Sequence, residues 1–210
     1  MSEIETDGIG EELDVRTVDR DPIGQFQNWF QAALAANLIL PEAMTLATAT
    51  RSGKPSARMV LLKQVDHRGF VFYTNYHSQK SQELDDNPFA ALVFYWAKLD
   101  CQVRIEGSVT RISDQESDDY FRSRPRDSQI GAAASPQSEV IEDRAVLEKR
   151  FHELEELYRD APVKRPSHWG GYRLAPARIE FWKSRPGRLH DRIAYELEAD
   201  GTWTIKRLAP

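Results

Sequence analysis

The segment Arg188-Leu-His190-Asp-Arg192 alternates basic residues with others, so an extended backbone would put Arg188, His190 and Arg192 on one face. Three donors aimed one way suit an anion or an electron-rich ring; a strand edge in water tolerates them equally well. In Arg58-Met59-Val60-Leu61-Leu62-Lys63 the two bases are five apart, which a regular strand sends to opposite faces. Either each base serves a different anion in a pocket that the strand crosses, or both are strand ends whose charges reach water. Lys80, in Ser78-Gln79-Lys80-Ser81 near an expected helix start, adds a cation where backbone N–H groups also favour an anion. Tyr120 and Arg124 are four apart on an expected helix, and Ser128 follows in Arg124-Pro-Arg-Asp-Ser128. A phenol, a guanidinium and a hydroxyl together suit a phosphate monoester, although an exposed helix end has the same spacing. Gln102, Gln137 and Ser138 are polar without further signal, and Trp182 beside Phe181 reads as a core aromatic.

Several site types are missing. The five histidines lack metal-ligand spacing and Cys101 stands alone, so no metal site is expected. There is no Gly-x-Gly-x-x-Gly, no Walker loop and no Gly-x-Ser-x-Gly elbow. With no nucleophile constellation visible, an enzyme built on this chain would leave the hard chemistry to a cofactor. A net charge of −5 gives no global attraction to nucleic acid or to an acidic membrane, yet arginine is dense at Arg122, Arg124 and Arg126 and again at Arg185, Arg188 and Arg192. No run approaches the roughly 18 apolar residues of a membrane helix. The acidic N-terminus lacks the sections of a secretory signal, and a lone cysteine fits a reducing compartment, so a cytoplasmic protein is expected.

The elements that must carry these residues can be read from periodicity. Residues 1–20 are acidic and read as a mobile N-terminal tail, with one domain spanning 21–210. Asp21-Pro22 is a helix start, followed by apolar Phe26, Trp29, Phe30, Ala33 and Leu34 on one face. From Met44 the period becomes two, predicting strands over 44–50, 56–65, 69–74, 89–96 and 101–112, with a short helix over 78–86. Ser113-Asp-Gln-Glu116 is a capping box opening a helix to about Arg122, limited by Pro125. Another helix spans 143–158. Strands over 178–182, 193–197 and 203–208 close the chain, the last two joined by an Asp200-Gly201 turn. The expected fold is mainly β, an antiparallel meander curled into a barrel with helices outside it.

Taken together, these segments resemble the pyridoxine (pyridoxamine) 5′-phosphate oxidase family of flavoenzymes. The resemblance rests on Arg58-Met-Val-Leu-Leu-Lys63, Val71-Phe-Tyr-Thr-Asn75, Ser78-Gln-Lys80, Ser123-Arg-Pro-Arg-Asp-Ser-Gln-Ile-Gly131, Gln137-Ser138, His168-Trp-Gly-Gly171, Ile179-Glu-Phe-Trp182, Arg188-Leu-His-Asp-Arg192 and the ending Arg207-Leu-Ala-Pro210. They run in order over roughly residues 21–210. The resemblance implies an FMN-binding split β-barrel and a homodimer with FMN at the subunit interface. It implies that Arg58, Met59, Val60, Leu61, Leu62, Lys63, Tyr73, Thr74, Gln79, Lys80, Gln102, Gln137, Ser138, Trp182 and Arg192 surround FMN. Lys63, Tyr120, Arg124 and Ser128 would hold a substrate phosphate, with Arg188 and His190 over the pyridine ring. The implied reaction oxidises pyridoxine or pyridoxamine 5′-phosphate to pyridoxal 5′-phosphate with dioxygen as acceptor, releasing hydrogen peroxide, and ammonia from the amine.

Three features depart from the family pattern. Residues 3–13 are acidic and lack the Arg-Glu-Tyr type segment that folds over substrate. Leu40 precedes Pro41 where a carboxylate is common. Gln79 stands where arginine is common, which removes one charge from the expected flavin phosphate site.

Overall fold

The computed structural model describes Ile9 and residues 12–210. Helix α1 (Pro22–Ala35) begins as its sequence requires: the Asp21 carboxylate accepts from the N–H groups of Ile23 (3.0 Å) and Gly24 (3.1 Å), and Pro22 occupies the first turn. Its apolar face drives Phe26, Trp29 and Ala33 into the core, where Phe26 meets Phe70 edge-on at 4.8 Å and Trp29 meets Phe181 at 5.2 Å.

Among the described residues, nine antiparallel strands follow: β1 (Ala43–Ala49), β2 (Pro55–Leu61), β3 (Gln64–Asp66), β4 (Gly69–Asn75), β5 (Phe89–Trp96), β6 (Cys101–Arg111), β7 (Trp169–Lys183), β8 (Asp191–Leu197) and β9 (Trp203–Arg207). Their order is β2-β1-β5-β6-β7-β4-β3, with β8 and β9 added beside β7. The 15-residue β7 explains the split shape. Its first half pairs with β4 (Tyr172 opposite Phe72) and its second half with β8 (Phe181 opposite Ile193), while β6 runs along both. The changeover falls at Pro176, where the register with β6 shifts beside Gly107. A Cβ on Gly107 would lie 2.0 Å from the Ala175 carbonyl oxygen, so the two strands approach there only because that side chain is absent.

The strand expected over 56–65 breaks in two. β2 ends at Leu61; Leu62 N–H then bonds to Glu42 O and Lys63 N–H to Val71 O, each at 2.9 Å. The chain has changed partner from β1 to β4, and that exchange curls the sheet toward closure. The expected strand over 178–182 is the tail of a longer one, because a proline at a bulge need not end a strand.

Among the described residues, α2 (Gln79–Asp86), α3 (Asp114–Ser123), α4 (Arg126–Ala134) and α5 (Arg144–Leu157) complete the fold outside the sheet. The Ser113–Glu116 capping box forms with both reciprocal bonds. α4 was not expected: Pro125, read as a limit on the preceding helix, also stands where a new helix begins. No helix among the described residues is long and apolar enough to cross a membrane.

The expected tail over residues 1–20 falls partly outside the described residues. Within 12–20 the chain is docked rather than free. Leu13 and Val18 are buried, Tyr195 donates its hydroxyl to Asp19 O at 2.7 Å, and Arg207 donates to Leu13 O. The apolar side chains at 13 and 18 bury against the core, which the acidic composition around them obscured. The packed chain therefore starts before Asp21. Residues 3–8, 10 and 11, on which the expected absence of a lid segment mainly rests, lie outside the described residues.

Candidate active site

A cavity of about 700 Å³ opens between β2, β4 and the helices that follow them. At one end Lys80, in the first turn of α2, is buried with its ammonium 3.0 Å from Thr74 Oγ1, 3.1 Å from Ser78 Oγ and 3.0 Å from Gln137 Oε1. Burial, with Arg58 nearby, lowers its pKa to about 8, against the opposing pull of Glu83. Arg58 projects from β2 toward the same end, donating to Ser56 Oγ and lying 3.3 Å from Glu83 Oε2. Glu83 in turn accepts from Ser56 (2.6 Å), Thr48 and Gln79 (2.9 Å). Burial pushes the Glu83 carboxyl up, but these hydrogen bonds and Arg58 outweigh it and hold its pKa at about 2. The cluster is thus a pair of cations steadied by one buried carboxylate. Gln79 does not replace the missing positive charge; it donates to Glu83, and its backbone N–H reaches Ser138 Oγ at 3.3 Å. Ser138 itself adopts φ +76, a left-handed backbone that non-glycine residues rarely take outside constrained sites.

The other end is aromatic. Tyr73 stacks on Tyr120 at 3.9 Å and on Trp169 at 5.3 Å, and the Arg124 guanidinium carbon lies 4.6 Å over the Trp169 ring. Burial raises the Tyr73 phenol to about 12 and lowers the Arg124 guanidinium. Arg124 Nη1 is buried without a partner among the described residues. Adjacent side chains alternate along β4, so Tyr73 serves the aromatic end and Thr74 the Lys80 end. Lys63, exposed just past the end of β2, also lines the cavity. The partner exchange at Leu62–Lys63 is why Arg58 and Lys63, five apart, face one cavity instead of opposite sides of a strand.

Of the residues expected at the site, Arg58, Met59, Val60, Leu61, Lys63, Tyr73, Thr74, Gln79, Lys80, Tyr120, Arg124, Gln137 and Ser138 line this cavity. Leu62 does not: it is buried in the core. Ser128, half-buried in α4, is not in the lining. Tyr120 and Arg124 do meet, but not as two residues of one helix. Arg124 is extended (φ −74, ψ 150) because Pro125 disfavours helical backbone before it. Ser56, Asn75, Ser135 and Trp169 line the cavity unforeseen; Asn75 and Trp169 lay inside quoted motifs, Val71-Phe-Tyr-Thr-Asn75 and His168-Trp-Gly-Gly171, without being assigned a role.

Gln102, Trp182, Arg188, His190 and Arg192 form a second group that does not line the cavity within one chain. Gln102, Trp182 and Arg192 are directly opposed across β6, β7 and β8, so their side chains share one face of the sheet. Arg192 donates from Nε to Glu180 Oε1 at 2.9 Å and from Nη1 to Ala209 O at 2.8 Å. The His190 ring packs 4.7 Å from Trp182. The alternation expected from Arg188 to Arg192 does not start at Arg188, which closes a short 3-10 turn (Pro186–Arg188) with φ +61. Arg188 and Leu189 are exposed, and the extended backbone begins at Asp191.

Residues 30–158 match the model of the pyridoxamine 5′-phosphate oxidase family, and residues 169–210 match that of the pyridoxine 5′-phosphate oxidase C-terminal dimerisation region. A pyridoxine/pyridoxamine 5′-phosphate oxidase of Cyanothece sp. is 54% identical over 210 residues, covering 100% of this chain and 98% of the relative. One from Paraburkholderia phymatum is 58% identical over 198 residues, covering 94% and 93%. Among solved structures, PhzG from Burkholderia lata in complex with tetrahydrophenazine-1-carboxylic acid superposes with a TM-score of 0.89 at 31% identity, over 95% of this chain and 98% of that one. An FMN-binding, pyridoxamine 5′-phosphate oxidase-related protein from Nostoc punctiforme, 16% identical, shares the fold with a TM-score of 0.71 over 88% and 97%. The split barrel, the two-ended cavity and these matches agree: the chain belongs to the pyridoxamine 5′-phosphate oxidase family of flavin-dependent oxidases.

Proposed function

We propose that this chain is an FMN-dependent oxidase that converts pyridoxine 5′-phosphate and pyridoxamine 5′-phosphate to pyridoxal 5′-phosphate, acting as a homodimer. The observation that carries this reading is one cavity with two separate cationic ends, Lys80 with Arg58 and Arg124 with Lys63. Two phosphates are what FMN and a phosphorylated pyridine bring. The buried, partnerless Nη1 of half-buried Arg124 fits an anion, since a buried donor is otherwise costly to leave unmet. Lys80, with Ser78, Thr74 and Gln137 around its ammonium, fits the flavin phosphate.

FMN, when bound, supplies two-electron oxidation and passes the electrons to dioxygen. The chain's own residues do the rest. Tyr73, Tyr120 and Trp169 wall the phosphate end and keep water from it, which strengthens the Arg124 contact. Lys63, on the cavity wall, adds a second cation for the substrate phosphate. In a dimer the partner subunit would bring the Trp182–Arg192 face to this cavity, with Arg188 and His190 orienting the pyridine ring. Overall, the C4′ carbon goes from alcohol or amine to aldehyde; dioxygen becomes hydrogen peroxide, and the amine consumes water and leaves as ammonia. A cytoplasmic location fits this soluble-substrate chemistry.

The PhzG likeness favours a second reading, oxidation of a tricyclic aromatic without phosphate. Lys63 and the buried Nη1 of Arg124 argue for the phosphorylated substrate. Purified protein with FMN is to be supplied with each B6 phosphate under air, measuring pyridoxal 5′-phosphate and peroxide. We expect both products; flavin bound but no aldehyde from either substrate would overturn the reading, and turnover of a reduced phenazine instead would favour the second.

A further inference from the structure

The loop joining β7 to β8 holds a chain of contacts that the proposed reaction has not used. Its anchor is Asp191, a buried carboxylate at the first position of β8. Arg185 Nε donates to its Oδ2 at 2.6 Å, Arg207 Nη1 to its Oδ1 at 2.8 Å, and Leu13 N–H to Oδ2 at 3.4 Å. Arg185 is therefore tied down by its side chain, and its backbone is placed with it. The Arg185 backbone N–H points at His190 Nδ1, 3.1 Å away. Arg185 Nη2 is buried without a partner among the described residues, so the pair with Asp191 satisfies only part of this guanidinium.

A backbone amide can only donate, so His190 Nδ1 accepts and carries no hydrogen. A neutral imidazole has one N–H, which must then be on Nε2. Trp182, 4.7 Å from the imidazole and tilted 46° to it, packs on the ring and limits its rotation. Turning the ring over would put a carbon opposite the Arg185 amide and lose the bond. Nε2 has no protein partner among the described residues and lies on the ring edge remote from the amide.

We infer that Arg185 and Asp191 are positioning residues that hold neutral His190 as the Nε2–H tautomer, so that His190 meets the substrate ring as a hydrogen-bond donor and not as a base. A general base needs a free lone pair facing the substrate. Here the lone pair of Nδ1 is taken by the amide and Nε2 carries hydrogen. The acceptor is an electron-rich oxygen or nitrogen of the bound aromatic ring. The identity of that ring rests on the function proposed above; the tautomer does not.

The test uses FMN-loaded protein labelled with 15N histidine, in long-range 1H–15N correlation spectra, with His190 assigned by its loss in His190→Gln. We expect a hydrogen-bearing Nε2 and a bare Nδ1; a dominant Nδ1–H form or an even mixture would overturn the inference. Arg185→Ala should turn the single tautomer into a mixture with flavin still bound, and Arg185→Lys, which can keep the pair with Asp191, should restore it. A pure Nε2–H form in Arg185→Ala would remove Arg185 from the positioning role. In turnover both variants should lose activity, but His190→Gln places an amide N–H near the Nε2 position and should retain about tenfold more than His190→Asn, which reaches only the Nδ1 position, the scale of one lost hydrogen bond. Equal losses in the two would overturn the donor role. Because the spectra need no substrate, failure to oxidise B6 phosphates with the tautomer intact would count against the proposed function alone.

Discussion

Arg124 lies over the face of Trp169, its guanidinium carbon 4.6 Å from the ring centroid, with Nη1 buried and unpartnered among the described residues. The stacking fixes the plane of the fork, and the empty nitrogen points to a ligand as its missing partner. Arg124→Lys keeps a charge but loses the planar fork and much of the stacking. We expect KM for pyridoxamine 5′-phosphate to rise roughly 10- to 100-fold, as for a lost charge-assisted hydrogen bond of ~1.5–3 kcal/mol, with flavin affinity unchanged. Steady-state kinetics beside an FMN titration would check it; a fall in flavin affinity with KM intact would put Arg124 at the wrong phosphate.

Lys80 gives a pH prediction. Burial favours its neutral form, and its pKa in the protein without flavin is about 8. A bound phosphate favours the charged form, so binding above that pH must take up a proton. FMN affinity should therefore be highest below about pH 8 and weaken as pH rises from 7 to 9. Lys80→Met should bind more weakly and with a flatter profile. Fluorescence titration of FMN at several pH values reads both, and an unchanging wild-type affinity across that range would remove Lys80 from the phosphate.

How much of this was legible depended on whether short-range pattern or long-range pairing decided the outcome. Asp21-Pro22 and Ser113–Glu116 are local devices, and both cap the helices they announced. The strands from Met44 to Arg111 followed from period-two alternation, except where the partner changed at Leu62. A change of partner leaves no mark in local composition. It also decided the site, because Lys63 reaches the Arg58 cavity only after it. Arg188 shows the opposite failure: its alternation with His190 and Arg192 looked like strand, yet Pro186 and Gly187 wrap it into a turn. Glu83 went unnoticed because a carboxylate three residues after a lysine on a helix usually faces water. Only the barrel brings Thr48, Ser56 and Arg58 around it.

Glu83 should set acid stability. Its folded pKa, about 2, lies below the ordinary glutamate value of 4.5, so its stabilising contribution is present above about pH 4.5 and is lost as pH falls from there toward 2. Glu83→Gln leaves Arg58 without its carboxylate and should cost ~1–3 kcal/mol at pH 7. The gap to wild type should narrow as the pH approaches 3. Thermal melts across pH 3–7 would test this, and a gap constant over that range would exclude ionised Glu83 as the source.

Glu180 is nearly fully buried at 2% exposure, yet it faces three guanidinium groups: Arg192 at 2.8 Å, Arg178 at 3.3 Å and Arg104 at 3.6 Å. β7 places it directly across from Arg104 on β6, and Arg192 reaches it from β8. Arg104 and Arg178 also pair with Glu106, and Arg178 with Glu196. Glu180 is the one carboxylate paired with Arg192 among the described residues, so removing its charge costs Arg192 its ion pair as well as a hydrogen bond. Arg192, placed beside Trp182 on the face proposed to meet flavin, would be the first to lose its orientation. Glu180→Gln keeps the shape and one acceptor, so the fold should survive with a loss of ~1–3 kcal/mol. FMN should then bind roughly tenfold more weakly, and the visible absorption of the bound flavin should shift. Glu180→Gln with full flavin affinity and an unchanged spectrum would mean that Arg192 does not act on the flavin through this carboxylate.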